Sequence, residues 1–220
     1  MTSYVGIAHL FHGSVVNVSG WRDVDKQGNT YRSYFSNASE YCITNYQEEK
    51  TKGYQGDIGN EIPLDLKAEL PSDLDGRFDV VFNHTVLEHV FEVNEAFANL
   101  CRMTKDIVIV VVPFLQHQHA RKYGDFWRFT PTVLKVLFEK NGLSLVYLSF
   151  NDSGKEAIYL FAVGSRQPEA WTNIRDLSSN RVVHILDKIG LSVVRQSTLY
   201  RIRAFFLHKK AYLARIVRAR

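Results

Sequence analysis

One run of apolar residues, Ile107 to Phe114, constrains the fold of this chain more than any other feature. The run contains Ile, Val, one Pro and one Phe, and no charged residue. A parallel sheet is covered by helices on both faces, so its strands have continuous apolar sequences of this kind. Crossing a bilayer takes about 20 apolar residues, and this run is far shorter. It therefore predicts a buried strand of a parallel sheet and not a membrane-spanning helix.

Other strand-like runs alternate with helix-like runs along the chain, which is typical of an α/β fold. Four more strands are predicted: Ser14–Ser19, Tyr41–Asn45, Glu61–Leu66 and Phe78–Asn83. Three helices are predicted: Tyr31–Ser36, Asn94–Thr104 and Pro131–Asn141. The runs Leu143–Phe150 and Ala157–Val163 flank the turn sequence Asn-Asp-Ser-Gly, and they predict an antiparallel hairpin that closes the sheet.

The composition indicates one soluble globular domain. The chain has 220 residues, of which 45% are hydrophobic and 23% are charged, so it is long enough to bury a core. Its two cysteines, Cys42 and Cys101, have no metal-ligand spacing between them, and they predict a reducing, cytoplasmic location rather than a disulfide framework. The first residues lack the basic and apolar segments of a signal peptide.

Charge is distributed unevenly, which divides the chain into a domain of residues 1–170 and a C-terminal extension of residues 171–220. The extension contains eleven Lys or Arg and two Asp, a net charge of +9, whereas the rest of the chain has a net charge of −5. Within residues 197–219 an apolar stripe is flanked by basic residues, which predicts a basic amphipathic helix. The stripe consists of Leu199, Ile202, Phe206, Leu213 and Ile216. We expect the extension to bind an anionic membrane surface or a protein partner, with nucleic acid in third place.

The most informative motif is Phe-Asp-Val-Val-Phe-Asn-His-Thr-Val-Leu-Glu-His-Val, residues 78–90. It resembles the fourth strand and the following segment of class I S-adenosylmethionine-dependent methyltransferases. The resemblance covers about residues 13–165, including Ile-Pro-Leu-Asp-Leu before the motif, the apolar run after it, and Asp-Phe-Trp-Arg-Phe-Thr-Pro at residues 125–131. This last element is similar to a subgroup met in bacterial glycan and cell-surface biosynthesis.

The resemblance implies a Rossmann-like fold, whose mostly parallel seven-stranded sheet ends in an antiparallel hairpin. It also implies S-adenosylmethionine as the cofactor and a small molecule or a glycan as the methyl acceptor. In this family the cofactor lies across the carboxyl ends of the first strands. The residues that the resemblance assigns to cofactor binding are Asn17, Val18, Ser19, Gly20, Asn45, Asp65, Leu66 and Asn83.

Two of the cofactor-binding segments depart from the family pattern. An acidic residue normally stands at the position of Asn17, and glycines stand at the positions of Ser19 and Trp21. The second strand ordinarily ends in a carboxylate that accepts both ribose hydroxyls, whereas Asn45 is uncharged and accepts one. Asp65 matches the acid that contacts adenine in the family. We therefore expect weakened cofactor binding, and we expect Asn45→Asp to strengthen it.

The catalytic candidates follow from the reaction that the family performs. Methyl transfer from a sulfonium is an in-line displacement, so the protein positions the acceptor and removes the proton of a hydroxyl acceptor. Residues suited to these tasks are His89, His117, His119, Tyr123, Asp125 and Arg128. His89 has an alternative role as a residue that shapes the site, and Arg128 facing a cleft favours an acceptor with phosphate or carboxylate. His117 and His119 are either solvated or a metal pair, but no third ligand is evident, so no metal is predicted.

Two other functions stay open. The same fold can serve as a non-catalytic scaffold in a biosynthetic assembly, with its contacts made through the basic extension. A nucleic-acid-binding or modifying protein is the other alternative, because aromatic residues are interleaved with basic ones in the extension. A nicotinamide enzyme is disfavoured, since no Gly-x-Gly-x-x-Gly follows the first predicted strand.

Residues 197–219 are predicted to dock on the inner face of the cytoplasmic membrane. Each Lys or Arg near an anionic bilayer contributes about 1 kcal/mol, and the apolar stripe adds to this. The protein should co-sediment with anionic vesicles at low salt and be released as the salt concentration rises. Binding should be lost when four basic residues are replaced by Gln: Arg201, Arg203, Lys209 and Lys210. A protein that stays in the supernatant at low salt would instead assign the extension to packing or to a protein partner.

Overall fold

The computed structural model describes residues 5–47, 53–56, 59–119, 124–150 and 158–175. The predicted amphipathic helix and Tyr123 lie outside these ranges. The division of the chain after residue 170 and the role of the basic extension therefore stay predictions. Within the described ranges, no helix combines the length and apolar character needed to span a membrane.

Within the same ranges seven strands form a single sheet: β1 Gly13–Val18, β2 Ala38–Asn45, β3 Glu61–Pro63, β4 Phe78–His84, β5 Thr104–Pro113, β6 Ser144–Phe150 and β7 Tyr159–Ser165. They lie in the order β3-β2-β1-β4-β5-β7-β6. β1 pairs in parallel with both β2 and β4, and β3 and β5 extend the parallel part on either side. β7 is antiparallel to both β5 and β6, which forms the closing hairpin. The fold class predicted from the sequence is confirmed.

The α-helices of the described residues are α1 Val5–Ala8, α2 Val93–Met103 and α3 Pro131–Lys140. The predicted boundaries of the two longer helices, α2 and α3, differ from the observed ones by at most one residue at each end. Thr130 caps the start of α3, because its side chain accepts a hydrogen bond from the Val133 backbone N–H at 3.3 Å. Gly142, with φ 73°, follows its end in the left-handed conformation that terminates helices.

The helix predicted over Tyr31–Ser36 does not form, so that prediction is wrong. The segment makes only a 3₁₀ turn, Tyr31–Tyr34. The Phe35 N–H donates to the Arg32 carbonyl at 3.1 Å, which is the i→i−3 bond of a 3₁₀ turn, and β2 begins already at Ala38.

The third strand is shorter than predicted, and this places the residues that follow it. β3 ends at Pro63, and the Leu64 N–H donates to the Asn45 carbonyl at 2.9 Å. Leu64 and Leu66 are buried, whereas Asp65 between them is half-buried. Asp65 therefore stands in the loop beyond the carboxyl end of β3 and not within the strand.

β5 forms the centre of the core. All residues from Ile107 to Pro113 are buried, as the apolar run predicts. Helix α2 packs against β4 and β5, and α3 packs against β6 and β7. Phe97 of α2 and Phe138 of α3 meet edge to face, with ring centres 5.0 Å apart. The packed sheet fixes the positions of the loops at the carboxyl ends of its strands.

Candidate functional site

A cavity of about 700 Å³ lies at the carboxyl ends of β1, β2 and β4, beside the loop that follows β3. Such a volume is typical of sites for small molecules. Six of the predicted cofactor-binding residues line it: Asn17, Ser19, Gly20, Asn45, Asp65 and Leu66. Of the predicted catalytic residues, His89 is part of the wall. The cavity thus brings together segments that are far apart in the sequence.

The turn after β1 has a backbone conformation that favours glycine, although its outer residues are not glycines. Ser19 has φ 57° and Trp21 has φ 49°, both in the left-handed region. Between them Gly20 lies against Asn17, and a Cβ on Gly20 would be 2.5 Å from Asn17 Nδ2. A non-glycine residue in this region costs about 1 to 3 kcal/mol, so neighbouring contacts must enforce the turn.

Asn17 supports this turn from the interior of the protein. Asn17 is buried, and its Nδ2 donates a hydrogen bond to Asp23 Oδ1 at 2.8 Å. Asp23 Oδ1 also accepts a hydrogen bond from the Tyr41 hydroxyl at 2.6 Å. Burial, and then the charge of Asp23, raises the pKa of Tyr41, so this hydroxyl keeps the proton that it donates. Asp23 is not among the predicted site residues, because its partners are brought to it only by folding.

The Asn45 side chain joins the β1 turn to β3. Its Oδ1 accepts a hydrogen bond from the Trp21 N–H at 2.7 Å, and its Nδ2 donates to the Trp21 carbonyl at 3.0 Å. Nδ2 also donates to Glu61 Oε1 at 2.6 Å. Both amide hydrogens are therefore used within the protein, whereas Oδ1 of this buried side chain has one further lone pair. The sequence gives no sign of Glu61, which in turn accepts a hydrogen bond from the Gly56 N–H at 2.8 Å.

Asp65 and Leu66 line the cavity just beyond β3. Asp65 Oδ1 accepts a hydrogen bond from the Lys67 N–H at 3.1 Å, which orients the carboxylate. The flanking residues Leu64 and Leu66 also line the cavity, so a polar group stands between two apolar ones. This combination suits a flat ligand with a hydrogen-bond donor at its edge and apolar faces.

Val18 and Asn83 lie beneath the cavity wall. Both are buried at the adjacent ends of β1 and β4, where Asn83 Nδ2 donates to the Val18 carbonyl at 3.1 Å. Their position supports the site by fixing the two strand ends. The next residue, His84, lines the cavity and was not predicted to do so. Burial lowers the pKa of His84 to about 4, so this ring is neutral at pH 7.

The segment of residues 124–127 is hydrogen-bonded to the turn of residues 88–90. Three bonds join them: Phe126 N–H to the Glu88 carbonyl at 2.8 Å, Trp127 Nε1 to the Val90 carbonyl at 3.0 Å, and His89 Nδ1 to the Gly124 carbonyl at 2.6 Å. Since a carbonyl only accepts, His89 carries its hydrogen on Nδ1. The two motifs that stand out in the sequence thus form one wall of the cavity.

Asp125 and Arg128 form an ion pair that stabilises this segment. Arg128 Nη1 and Nη2 donate to the two Asp125 carboxylate oxygens at 2.6 and 2.8 Å, and Arg128 Nε donates to the Gln116 carbonyl at 2.8 Å. The guanidinium holds the pKa of Asp125 far below its usual range. Arg128 is thus engaged within the protein and is outside the described cavity wall, so the condition under which it would favour an anionic acceptor, a position facing the cleft, is not met.

Glu88, His89 and His119 form a cluster at the edge of the cavity. One potential ligand atom from each lies within 4.8 Å of the others, and the two rings meet edge to face with centres 5.3 Å apart. Burial raises the pKa of Glu88 to about 7, while burial lowers the pKa of His89 below its usual range. Glu88 belongs to the motif of residues 78–90 but is not among the predicted site residues, because nothing in its local sequence marks it as buried.

His117 does not join this cluster, although it is two residues from His119. Its side chain is exposed, and its backbone carbonyl lies 3.3 Å from His119 Nδ1. Of the two alternatives for His117 and His119, the exposed His117 agrees with a solvated side chain, whereas His119 groups with Glu88 and His89.

The variant Asn45→Asp is predicted to destabilise the protein. The sequence alone suggests only that this variant binds the cofactor more tightly. Its new carboxylate would face two acceptors, the Glu61 carboxylate at 2.6 Å and the Trp21 carbonyl at 3.0 Å. We expect the free energy of unfolding, measured in urea at pH 8, to fall by about 2 to 4 kcal/mol.

The double variant Asn45→Asp with Glu61→Gln is the matched control, because the side-chain amide introduced by Glu61→Gln again places a donor opposite the new carboxylate. The double variant should recover most of the lost stability. Tighter cofactor binding is expected only in the double variant and not in Asn45→Asp alone. An Asn45→Asp protein as stable as the wild type would contradict the described contacts of Asn45.

Comparison with known proteins adds information on the fold. Neither a family model nor a curated protein matches the chain. The 1,6-didemethyltoxoflavin-N1-methyltransferase of Burkholderia thailandensis, with bound 1,6-didemethyltoxoflavin and S-adenosylhomocysteine, is 15% identical and has a TM-score of 0.53. The match covers 74% of this chain and 76% of that enzyme.

Two further solved structures are similar at the level of the fold. A chain from the complex of the Haloferax volcanii Trm112 methyltransferase activator with a methyltransferase is 13% identical, with a TM-score of 0.52 over 70% of this chain and 82% of that chain. A candidate methyltransferase from Bacillus halodurans is 11% identical, with a TM-score of 0.50 over 74% of this chain and 93% of that chain. Together with the strand order, these similarities show that the chain has the Rossmann-like fold of class I methyltransferases.

Proposed function

We propose that this chain transfers a methyl group from S-adenosylmethionine to a small-molecule or glycan-type acceptor. The observation that carries the proposal is the cavity at the carboxyl ends of β1, β2 and β4, which is where open parallel sheets bind their ligands. The similar Burkholderia enzyme was crystallised with S-adenosylhomocysteine, the demethylated cofactor, and with its acceptor. Both the fold and the position of the cavity therefore support the same cofactor here.

The cofactor extends from Asp65 to the turn of residues 19–21. The Asp65 carboxylate accepts a hydrogen bond from the adenine amino group, and Leu66 contacts the face of the ring. One ribose hydroxyl donates to the remaining lone pair of Asn45 Oδ1. Gly20 has no side chain, so the methionine part of the cofactor approaches the backbone closely there.

The acceptor binds against an aromatic rim formed by Phe91, Phe126 and Trp127. Phe91 is 63% exposed and Phe126 is 50% exposed, and both line the cavity. The Phe91 ring centre lies 5.4 Å from that of Phe126 and 6.1 Å from that of Trp127. Grouped exposed apolar side chains mark binding surfaces. Because flat heterocycles and the apolar faces of sugars both stack on such rings, the rim supports a small-molecule or glycan acceptor.

His89 accepts the proton of a hydroxyl acceptor. Its Nδ1 holds the hydrogen that is donated to the Gly124 carbonyl, so Nε2 is the basic nitrogen. Burial keeps the pKa of His89 below its usual range, and the ring is therefore in its basic form at neutral pH. The acceptor oxygen bonds to the methyl carbon as the carbon–sulfur bond breaks. The bonding pair stays on sulfur, which yields S-adenosylhomocysteine, and the hydroxyl proton passes to Nε2.

Asp65→Ala should weaken S-adenosylmethionine binding by about tenfold or more, because it removes a charge-assisted hydrogen bond. Isothermal titration calorimetry on the full chain measures this. Asp73→Ala is the matched control, since Asp73 is exposed and lies outside the cavity wall, and its affinity should equal that of the wild type. Unchanged affinity in a folded Asp65→Ala protein would rule out the placement of the adenine. A wild-type protein that binds no cofactor would overturn the proposed function itself.

A further inference from the structure

The cluster of Glu88, His89 and His119 has the composition of a transition-metal site. Two imidazoles and one carboxylate form a common ligand set for Zn²⁺ and for Fe²⁺ in proteins. In this chain one potential ligand atom from each side chain lies within 4.8 Å of the other two. The Nε2 atom of His89 is 3.8 Å from Glu88 Oε1.

Both imidazole rings are oriented through Nδ1. His89 Nδ1 donates to the Gly124 carbonyl at 2.6 Å. His119 Nδ1 lies 3.3 Å from the His117 carbonyl and 3.4 Å from Asp125 Oδ2. A carbonyl or carboxylate that fixes the far nitrogen of a histidine ring is the usual support of a metal ligand, because it sets the tautomer and turns Nε2 to the metal.

Asp125 is itself held in place by the two hydrogen bonds from Arg128 at 2.6 and 2.8 Å. The ion pair therefore supports the position of the His119 ring without facing the cavity. This gives Asp125 and Arg128 a role at the site, as positioning residues behind a ligand.

Glu88 provides a second and independent observation. Its side chain is 0% exposed, and neither carboxylate oxygen has a hydrogen-bond partner among the described residues. A buried carboxylate without hydrogen bonds is costly, so such a group in a folded protein is either protonated or compensated by a charge or a ligand. A cation between Glu88 and the two imidazoles supplies that compensation.

We propose that Glu88, His89 and His119 bind one divalent transition-metal ion of the Zn²⁺ class. Ligand atoms of a tetrahedral zinc site are roughly 3.3 Å apart, as follows from metal–ligand bonds of about 2.0 Å, so separations of up to 4.8 Å in the cluster must shorten by up to about 1.5 Å on binding. The loop position of His119, whose side chain is 38% exposed, allows such a movement.

Three protein ligands leave one position of the metal open. His89 is part of the cavity wall, so the metal lies beside the cavity and its open position is accessible to an oxygen of the acceptor. Metal binding and proton acceptance use the same nitrogen of His89, so His89 accepts the proton only in the metal-free chain. With metal bound, coordination would lower the pKa of the acceptor hydroxyl, and its proton would pass to water.

The first test titrates Zn²⁺ alone, without S-adenosylmethionine, into the chelator-treated full chain in competition with a chromogenic chelator. The wild type should bind one equivalent more tightly than His119→Ala, by at least about tenfold. His117→Ala is the matched control, because it removes an exposed histidine two residues away that is not in the cluster. Equal Zn²⁺ binding by the wild type and His119→Ala, or an equal loss in His117→Ala, would overturn the site.

The second test concerns Glu88→Gln, which keeps the size of the side chain and removes its charge. Without metal this variant should melt at or above the wild-type temperature, since it replaces a buried carboxyl that has no hydrogen-bond partner among the described residues. Zn²⁺ should raise the melting temperature of the wild type and not that of Glu88→Gln. An equal rise in both proteins would remove Glu88 from the site. Because neither test contains the methyl donor, their outcome is separate from that of the proposed activity.

Discussion

The parallel pairing of β1 with β2 on one side and with β4 on the other is the constraint on which the site depends. The chain leaves the carboxyl ends of neighbouring strands in opposite directions at this point, which opens a crevice. The turn after β1 crosses the crevice with Ser19 and Trp21 in left-handed conformations. Asn45 holds that turn by two bonds to the Trp21 backbone. Asn45, at the end of β2, therefore maintains the strained backbone of the turn that follows the neighbouring strand β1.

The other half of the site depends on the hydrogen bonds between residues 124–127 and residues 88–90. These bonds bring the aromatic rim to the cavity, and they also orient His89 through the Gly124 carbonyl. The Asp125–Arg128 pair stabilises the same segment and reaches His119. The cofactor side and the acceptor side are thus built separately, the first on the strand ends and the second on a loop docked against a turn.

Local sequence predicts the parts of this structure that depend on local properties. The apolar run of β5 and the cap at Thr130 are correct because burial periodicity and helix capping act over a few residues. Asp65 lines the cavity as predicted, although it lies in the loop after β3 and not within the predicted strand Glu61–Leu66. Long-range contacts are where prediction fails: Asn45 bonds to Trp21 and Glu61, which are 24 and 16 residues away. The helix predicted from Tyr31 stops after one 3₁₀ turn, because the chain enters β2 at Ala38, which pairs with Gly13 of β1.

The central claim is that the crevice between β1 and β4 binds S-adenosylmethionine. The most direct measurement is a crystal structure of the protein with S-adenosylhomocysteine. We expect ligand density that extends from Asp65, beside the adenine, to the turn of residues 19–21, beside the methionine part. Ligand density at another place on the protein, or an empty crevice in crystals grown with saturating ligand, would contradict it.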